Sequence, residues 1–155
     1  MKDKITYIGN ETLLMKPKIA FLASSFIPVG EVMSCYDWAI KMCKENKCVI
    51  SGFSSKLEKD VWDFLIKGNQ PIILVLARRM YHDIPDDMQR LLDSGRLLII
   101  STTSSHRQSR ATAFVRNKYI CEQADRIVMV GVSSTSSLFP LSNEFKSKLV
   151  SLQTT

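Results

Sequence analysis

The sequence predicts an α/β domain of three layers, a mainly parallel sheet with helices packed on both faces. Short apolar runs of strand length recur along the chain, and segments with helical spacing separate them. One stretch, CVISGFSSKLEKDVWDFLIKGNQPIILVLARR, reads as strand, small-residue turn, capped helix and second strand, the βαβ unit from which such sheets are built. At 155 residues the chain is long enough for one core and short for two, so residues 1–155 are read as a single domain.

The elements follow in order. KIAFLA, Lys18 to Ala23, is the first strand, and Val32 to about Asn46 carries a helical stripe at Val32, Tyr36, Ala39, Ile40 and Cys43. Cys48 to Ser51 is the second strand. Gly52 follows it, at a point where the backbone bends sharply or comes close to a ligand. Ser55 and Glu58 have the S-x-x-E spacing of a capping box, which starts a helix at Lys56 that runs to about Lys67. Ile72 to Ala77 is the third strand. A helix is expected from Pro85, with Gly95 as its stop. Arg96 to Ser101 is the fourth strand, Ala111 to Ala124 a helix, and Arg126 to Val130 the fifth strand. The serine-rich residues 133–137 lead into a short terminal helix.

Composition excludes several classes. An apolar fraction of 45% without any run near the roughly 20 residues of a membrane span predicts a soluble, non-membrane chain. The first residues, MKDKITYIGNE, have no secretory pattern, so a cytoplasmic location is expected. The four cysteines, Cys35, Cys43, Cys48 and Cys121, form no C-x-x-C pair; they are read as reduced thiols, with no metal site. The net charge of +6 suits a polyanionic partner, and its distribution is more telling than its size. Arg78 and Arg79 follow a strand directly, and Arg107, Arg110, Arg116 and Lys118 cluster near the loop after another.

In a parallel sheet of this kind, ligands bind outside the carboxyl ends of the strands. Residues after the strands therefore share one rim: Ser24 and Ser25, Gly52 to Ser55, Arg78 and Arg79, Ser101 to Arg110, and Ser133 to Ser137. These loops hold hydroxyls and guanidinium groups and no carboxylate, a composition suited to phosphate. The hydroxyls of Ser51, Ser54 and Ser55, with the first-turn amides of the following helix, are expected to hold phosphate oxygens.

Four segments resemble the Rossmann-like domain of the bacterial DNA-processing protein A family, also called Smf, within the superfamily that includes the cytokinin-activating phosphoribohydrolases. TYIGNETLLMKPKIAFLASS is similar to that family's lead-in to its first strand. ISGFSSKLEKD is similar to its S-G-L-A-x-G-I-D signature, with Ser51, Gly52 and Glu58 at the serine, glycine and acidic positions. GNQPIILVLAR is similar to the strand that follows. VRNKYICEQADRIVMVG is similar to its R-N-R-I-I segment and last strand, with Arg116 and Asn117 matching. The resemblance covers nearly all of residues 5–137. The first turn departs from it, with Ala23, Ser24 and Ser25 in place of glycine, serine and arginine. Lys56 replaces the signature's second glycine, and residues 133–137 lack the glycine of an S-G-S turn.

The resemblance implies a binding domain without catalysis and without a winged-helix extension. The P-G-G-x-G-T-x-x-E motif of the phosphoribohydrolases is absent, Glu58 is read as a helix cap, and His82 and His106 lie in polar loops without a nucleophile pattern. No cofactor is expected. Two ligand readings stay open. The first is single-stranded DNA on a basic track of Arg78, Arg116, Lys118 and the loop 101–110, with Asn117 beside it and Phe26, Phe53 or Tyr81 for base stacking. The second is a nucleotide or nucleotide derivative held by the SGFSS turn. The resemblance also leaves room for a recombinase partner and for a homo-oligomer.

Overall fold

The computed structural model describes residues 5–153. Six strands form one sheet: β1 (Thr6–Gly9), β2 (Lys18–Ala23), β3 (Cys48–Ser51), β4 (Ile72–Leu76), β5 (Leu97–Ser101) and β6 (Arg126–Val130). They lie in the order β1-β5-β4-β3-β2-β6. Five of them run parallel, and β1 pairs antiparallel with β5. Helices α1 (Val29–Lys44), α2 (Lys56–Leu65), α3 (Asp86–Asp93), α4 (Arg110–Gln123) and α5 (Phe139–Glu144) complete the three-layer α/β domain, a Rossmann-like fold.

Strands β2 to β5 are buried along their whole length, which is why they read as unbroken apolar runs. Alternate residues feed two cores. Phe21, Val49, Leu74 and Ile99 face α1 and α2, where Trp38 and Leu65 fill the gap. Leu22, Ile50, Ile73 and Ile100 face the other layer, where Ile120 of α4 and Leu141 of α5 pack. At the β6 edge, the segment after α5 pairs with the strand, since Val150 donates its amide to the Ile127 carbonyl at 2.9 Å.

Three differences from the sequence reading have physical causes. Strand β1 was not expected: three of its four residues are exposed and it lacks a strand's apolar run. Helix α1 starts at Val29, three residues before the expected Val32, because Pro28 fixes an extended backbone just ahead of it. Helix α2 ends at Leu65 rather than Lys67, where the Arg96 side chain donates to the Leu65, Ile66 and Gln70 carbonyls. The capping box at Ser55 and Glu58 and the stop at Gly95, whose φ is +76°, are as read.

Three of the four thiols are buried, and burial pushes those of Cys35, Cys48 and Cys121 up from an ordinary value of 9.0 to about 12. The unfolded chain ionises these thiols before the folded one does. Their contribution to stability is therefore complete below the unfolded value and is lost as pH rises toward the folded one. Urea unfolding midpoints are expected to fall between pH 9 and pH 12, and a Cys35→Ala, Cys121→Ala variant to show a shallower fall over that window.

Candidate nucleic-acid interface

The carboxyl edge of the sheet is organised around a buried carboxylate. Helix α2 places Glu58 in its first turn, 4% exposed, where it faces the ends of β2 and β3. One oxygen accepts from the Ala23 amide at 2.9 Å, and the other from the Ser54 and Ser55 amides at 3.0 and 3.2 Å. Ser55 Oγ accepts from the Glu58 amide in return. Arg116 reaches the same place from α4, on the opposite layer. Its guanidinium, 3% exposed, donates to Ser54 Oγ at 3.1 Å, to the Val75 carbonyl at 3.4 Å and to Asn117 Oδ1 at 2.7 Å. Burial lowers the Arg116 pKa, and the field of Glu58 opposes that shift.

The glycine of the SGFSS turn has a different use from the one expected. Gly52 does not adopt a positive φ. A Cβ on it would run into the guanidinium of Arg116, so the missing side chain clears a berth for that cation. Three of the turn's amides are also spent inside the protein. Phe53 donates its amide to Ser51 Oγ, and the next two amides go to Glu58. Ser51 is fully buried. Ser51, Gly52, Ser54, Ser55, Arg116 and Asn117 thus come together as one internal network beneath the edge.

A cleft of about 930 Å³ opens beside this network, between the ends of β2 and β6. Helix α1 follows β2 onto one face of the sheet while α5 follows β6 onto the other, so the two loops diverge and leave a crevice. Ser24, Ser25 and Phe26 form one wall, Gly131, Ser133 and Thr135 to Ser137 the other, and Arg110 and Phe114 close the side. Ser24 Oγ donates to the Gly131 carbonyl at 2.7 Å and ties the walls together. Gly131 has a φ of +74°, and a side chain there would collide with Ser24 and Ile27. The glycine missing from residues 133–137 is thus supplied just after β6.

A second cleft, of about 680 Å³, lies between α2, α3 and the loop after β4. Arg78 stands at its mouth with its guanidinium over the Tyr81 ring, 5.3 Å from the centroid. The loops themselves hold no carboxylate, yet the helices bring carboxylates to both clefts: Glu31 to the first, Asp63 and Asp87 to the second. Of the aromatics considered for stacking, Phe26 is 84% exposed and Tyr81 half-buried, while Phe53 is core, edge-on to Trp62 at 5.0 Å. Lys118 lines neither cleft and pairs with Glu144 at 3.6 Å. Phe114 and Gly131 were not singled out as site residues from the sequence, the first lying within a helix and the second directly after β6. Among the described residues no group of three or more metal-ligating side chains occurs, and no helix is long and apolar enough to cross a membrane.

No family model matches the chain, and no curated protein does. Solved structures match it over almost its whole length. DNA processing protein A from Streptococcus pneumoniae superposes with a TM-score of 0.73 at 16% identity, over 95% of this chain and 54% of that one. The chain has the fold of DNA processing protein A. The same protein from Helicobacter pylori, solved for its single-stranded DNA binding mode, gives a TM-score of 0.72 at 14% identity over 95% of this chain and 70% of its own. A molybdenum cofactor binding protein from Rippkaea orientalis gives 0.54 at 12% identity over 88% of both chains. This chain therefore spans about half the length of the Streptococcus DNA processing protein A.

Two outcomes test the buried network. Glu58→Ala strands three amides and is expected to cost about 3–5 kcal/mol in urea unfolding. Gly52→Ala is expected to cost about 1–3 kcal/mol in the native background. In an Arg116→Ala background the cost of Gly52→Ala is expected to shrink by about 1 kcal/mol or more, because the collision is removed. Equal costs in both backgrounds would show that the guanidinium does not occupy the glycine's berth.

Proposed function

We propose that this chain is a non-catalytic binding domain that holds single-stranded DNA along the carboxyl edge of its sheet. The observation that carries the reading is the composition of the cleft between β2 and β6. There an exposed phenylalanine, Phe26, and the partly exposed Phe114 share a crevice with Arg110 and a run of hydroxyls. Aromatic faces stack any base, hydroxyls and guanidinium groups contact the backbone phosphates, and neither demands a particular sequence. Arg79 and Arg107 are exposed on the same edge, and the Arg79 amide donates to the Ser105 carbonyl, which joins their loops. The shared fold with the Helicobacter pylori protein supports this reading.

The roles of the candidate residues change with the geometry. Ser25, Arg78 and Arg110 are offered to the strand, and Ser24 orders the cleft wall. Ser51, Gly52, Ser54, Ser55, Arg116 and Asn117 shape the edge from beneath. A nucleotide held by the SGFSS turn has less support, since that turn's amides already donate within the protein. The non-catalytic reading is supported by Glu58, the carboxylate at the centre of the edge, which is committed to three amides.

Titration of a labelled oligothymidylate at about 50 and 200 mM salt tests the reading. The affinity is expected to fall by about tenfold or more across that range. Phe26→Ala and Arg110→Ala are expected to weaken binding several-fold without moving the melting temperature. Absence of binding at the lower salt would remove the DNA reading.

A further inference from the structure

The second cleft differs from the first in a way that points to a different part of a ligand. Its floor is apolar, built from Phe53, Trp62, Leu74, Leu76 and Met88. Its lining also carries Lys59 and Asp63 one turn apart on α2, Arg78 of the loop after β4, Asp87 of α3, and Gln108. The described residues form only three ion pairs, and none includes any of these four charges. Two carboxylates beside two cations give no net attraction for a phosphate. They do offer acceptors and donors side by side over an apolar floor, the pattern that the edge of a heterocycle with amino and carbonyl groups would satisfy.

Two further features suit a flat ring. The guanidinium of Arg78 already lies over Tyr81, which makes a planar wall on which a base can stack. Phe53 holds a φ of +47°, a left-handed backbone that a bulky residue rarely adopts, and this conformation puts its ring edge-on to Trp62 in the floor. The volume of about 680 Å³ accommodates a nucleoside. Gln108 lines this cleft and Arg110 lines the other, so one short loop segment connects the two.

We propose that the cleft between α2, α3 and the loop after β4 is a nucleobase site, which takes the neutral heterocycle and leaves the phosphate at the rim. The base has two sources, a free nucleoside or one residue of a bound strand. Only the second source rests on the single-stranded DNA reading.

Intrinsic fluorescence of the full chain tests the proposal. Of its two tryptophans, Trp62 borders the cleft, whereas Trp38 is buried against Phe21 at 5.1 Å and serves as the silent background. Adenosine, guanosine, cytidine and thymidine are titrated separately, and an oligothymidylate is compared with an abasic strand of equal length. Saturable quenching by a nucleoside, weakened about fivefold or more in Tyr81→Ala, is the expected result. Asp63→Asn and Asp87→Asn are expected to weaken it without lowering the melting temperature, which keeps the test valid if Tyr81→Ala fails to fold. Quenching by the intact strand and not by the abasic one assigns the site to the strand. If nucleosides quench and no oligonucleotide binds, the site belongs to free nucleosides and the DNA reading fails alone. If oligonucleotides bind and neither they nor nucleosides quench, or if the abasic strand quenches equally, the nucleobase site is overturned and the DNA reading stands.

Discussion

Three backbone amides at the ends of β2 and β3 point away from water, and the Glu58 carboxylate accepts from all of them. Leaving such donors unmet costs roughly 1–3 kcal/mol each, so the carboxylate fixes where the two strands stop and where α2 begins. Burying a charge requires compensation as well. The amides supply most of it, and Arg116 brings a countercharge to the same network from the other layer. One interaction thereby joins β2, β3, α2 and α4 at a single point on the carboxyl edge. The loops that form both clefts leave from that point.

The strands were legible because a parallel sheet covered on both faces demands residues that are apolar without interruption, and Ile72 to Leu76 and Leu97 to Leu98 to Ile100 leave no other reading. Strand β1 was not, because an exposed edge strand places few demands on its side chains. The site divides in the same way. Ser51 and Gly52 stood out at the end of a strand, and Glu58 and Arg116 on helices beside the loops. A sequence does not reveal whether a polar group at such a place faces a ligand or another part of the chain, and here the Arg116 guanidinium lies against Gly52 and bonds Ser54. Phe53, which the sequence offered for stacking as readily as for the core, is buried, with its backbone in the left-handed region.

The Helicobacter pylori protein solved for its single-stranded DNA binding mode and the Rippkaea orientalis molybdenum cofactor binding protein share this fold, so the fold alone does not choose a ligand. What is particular to this chain is the lining of its loops. Phenylalanines flank a crevice of hydroxyls on one side of the buried network, and paired charges surround an apolar floor on the other.

The tether from Ser24 to Gly131 bears on how quickly the cleft between β2 and β6 can be entered. Both walls are held at a fixed spacing by a 2.7 Å hydrogen bond that crosses from the end of β2 to the end of β6. A crevice whose walls do not need to gather around a guest loses little conformational freedom on filling, so occupancy is governed by encounter and escape rather than by closure. The bond between Ser24 and Gly131 thus spares a guest the cost of ordering the two loops that receive it.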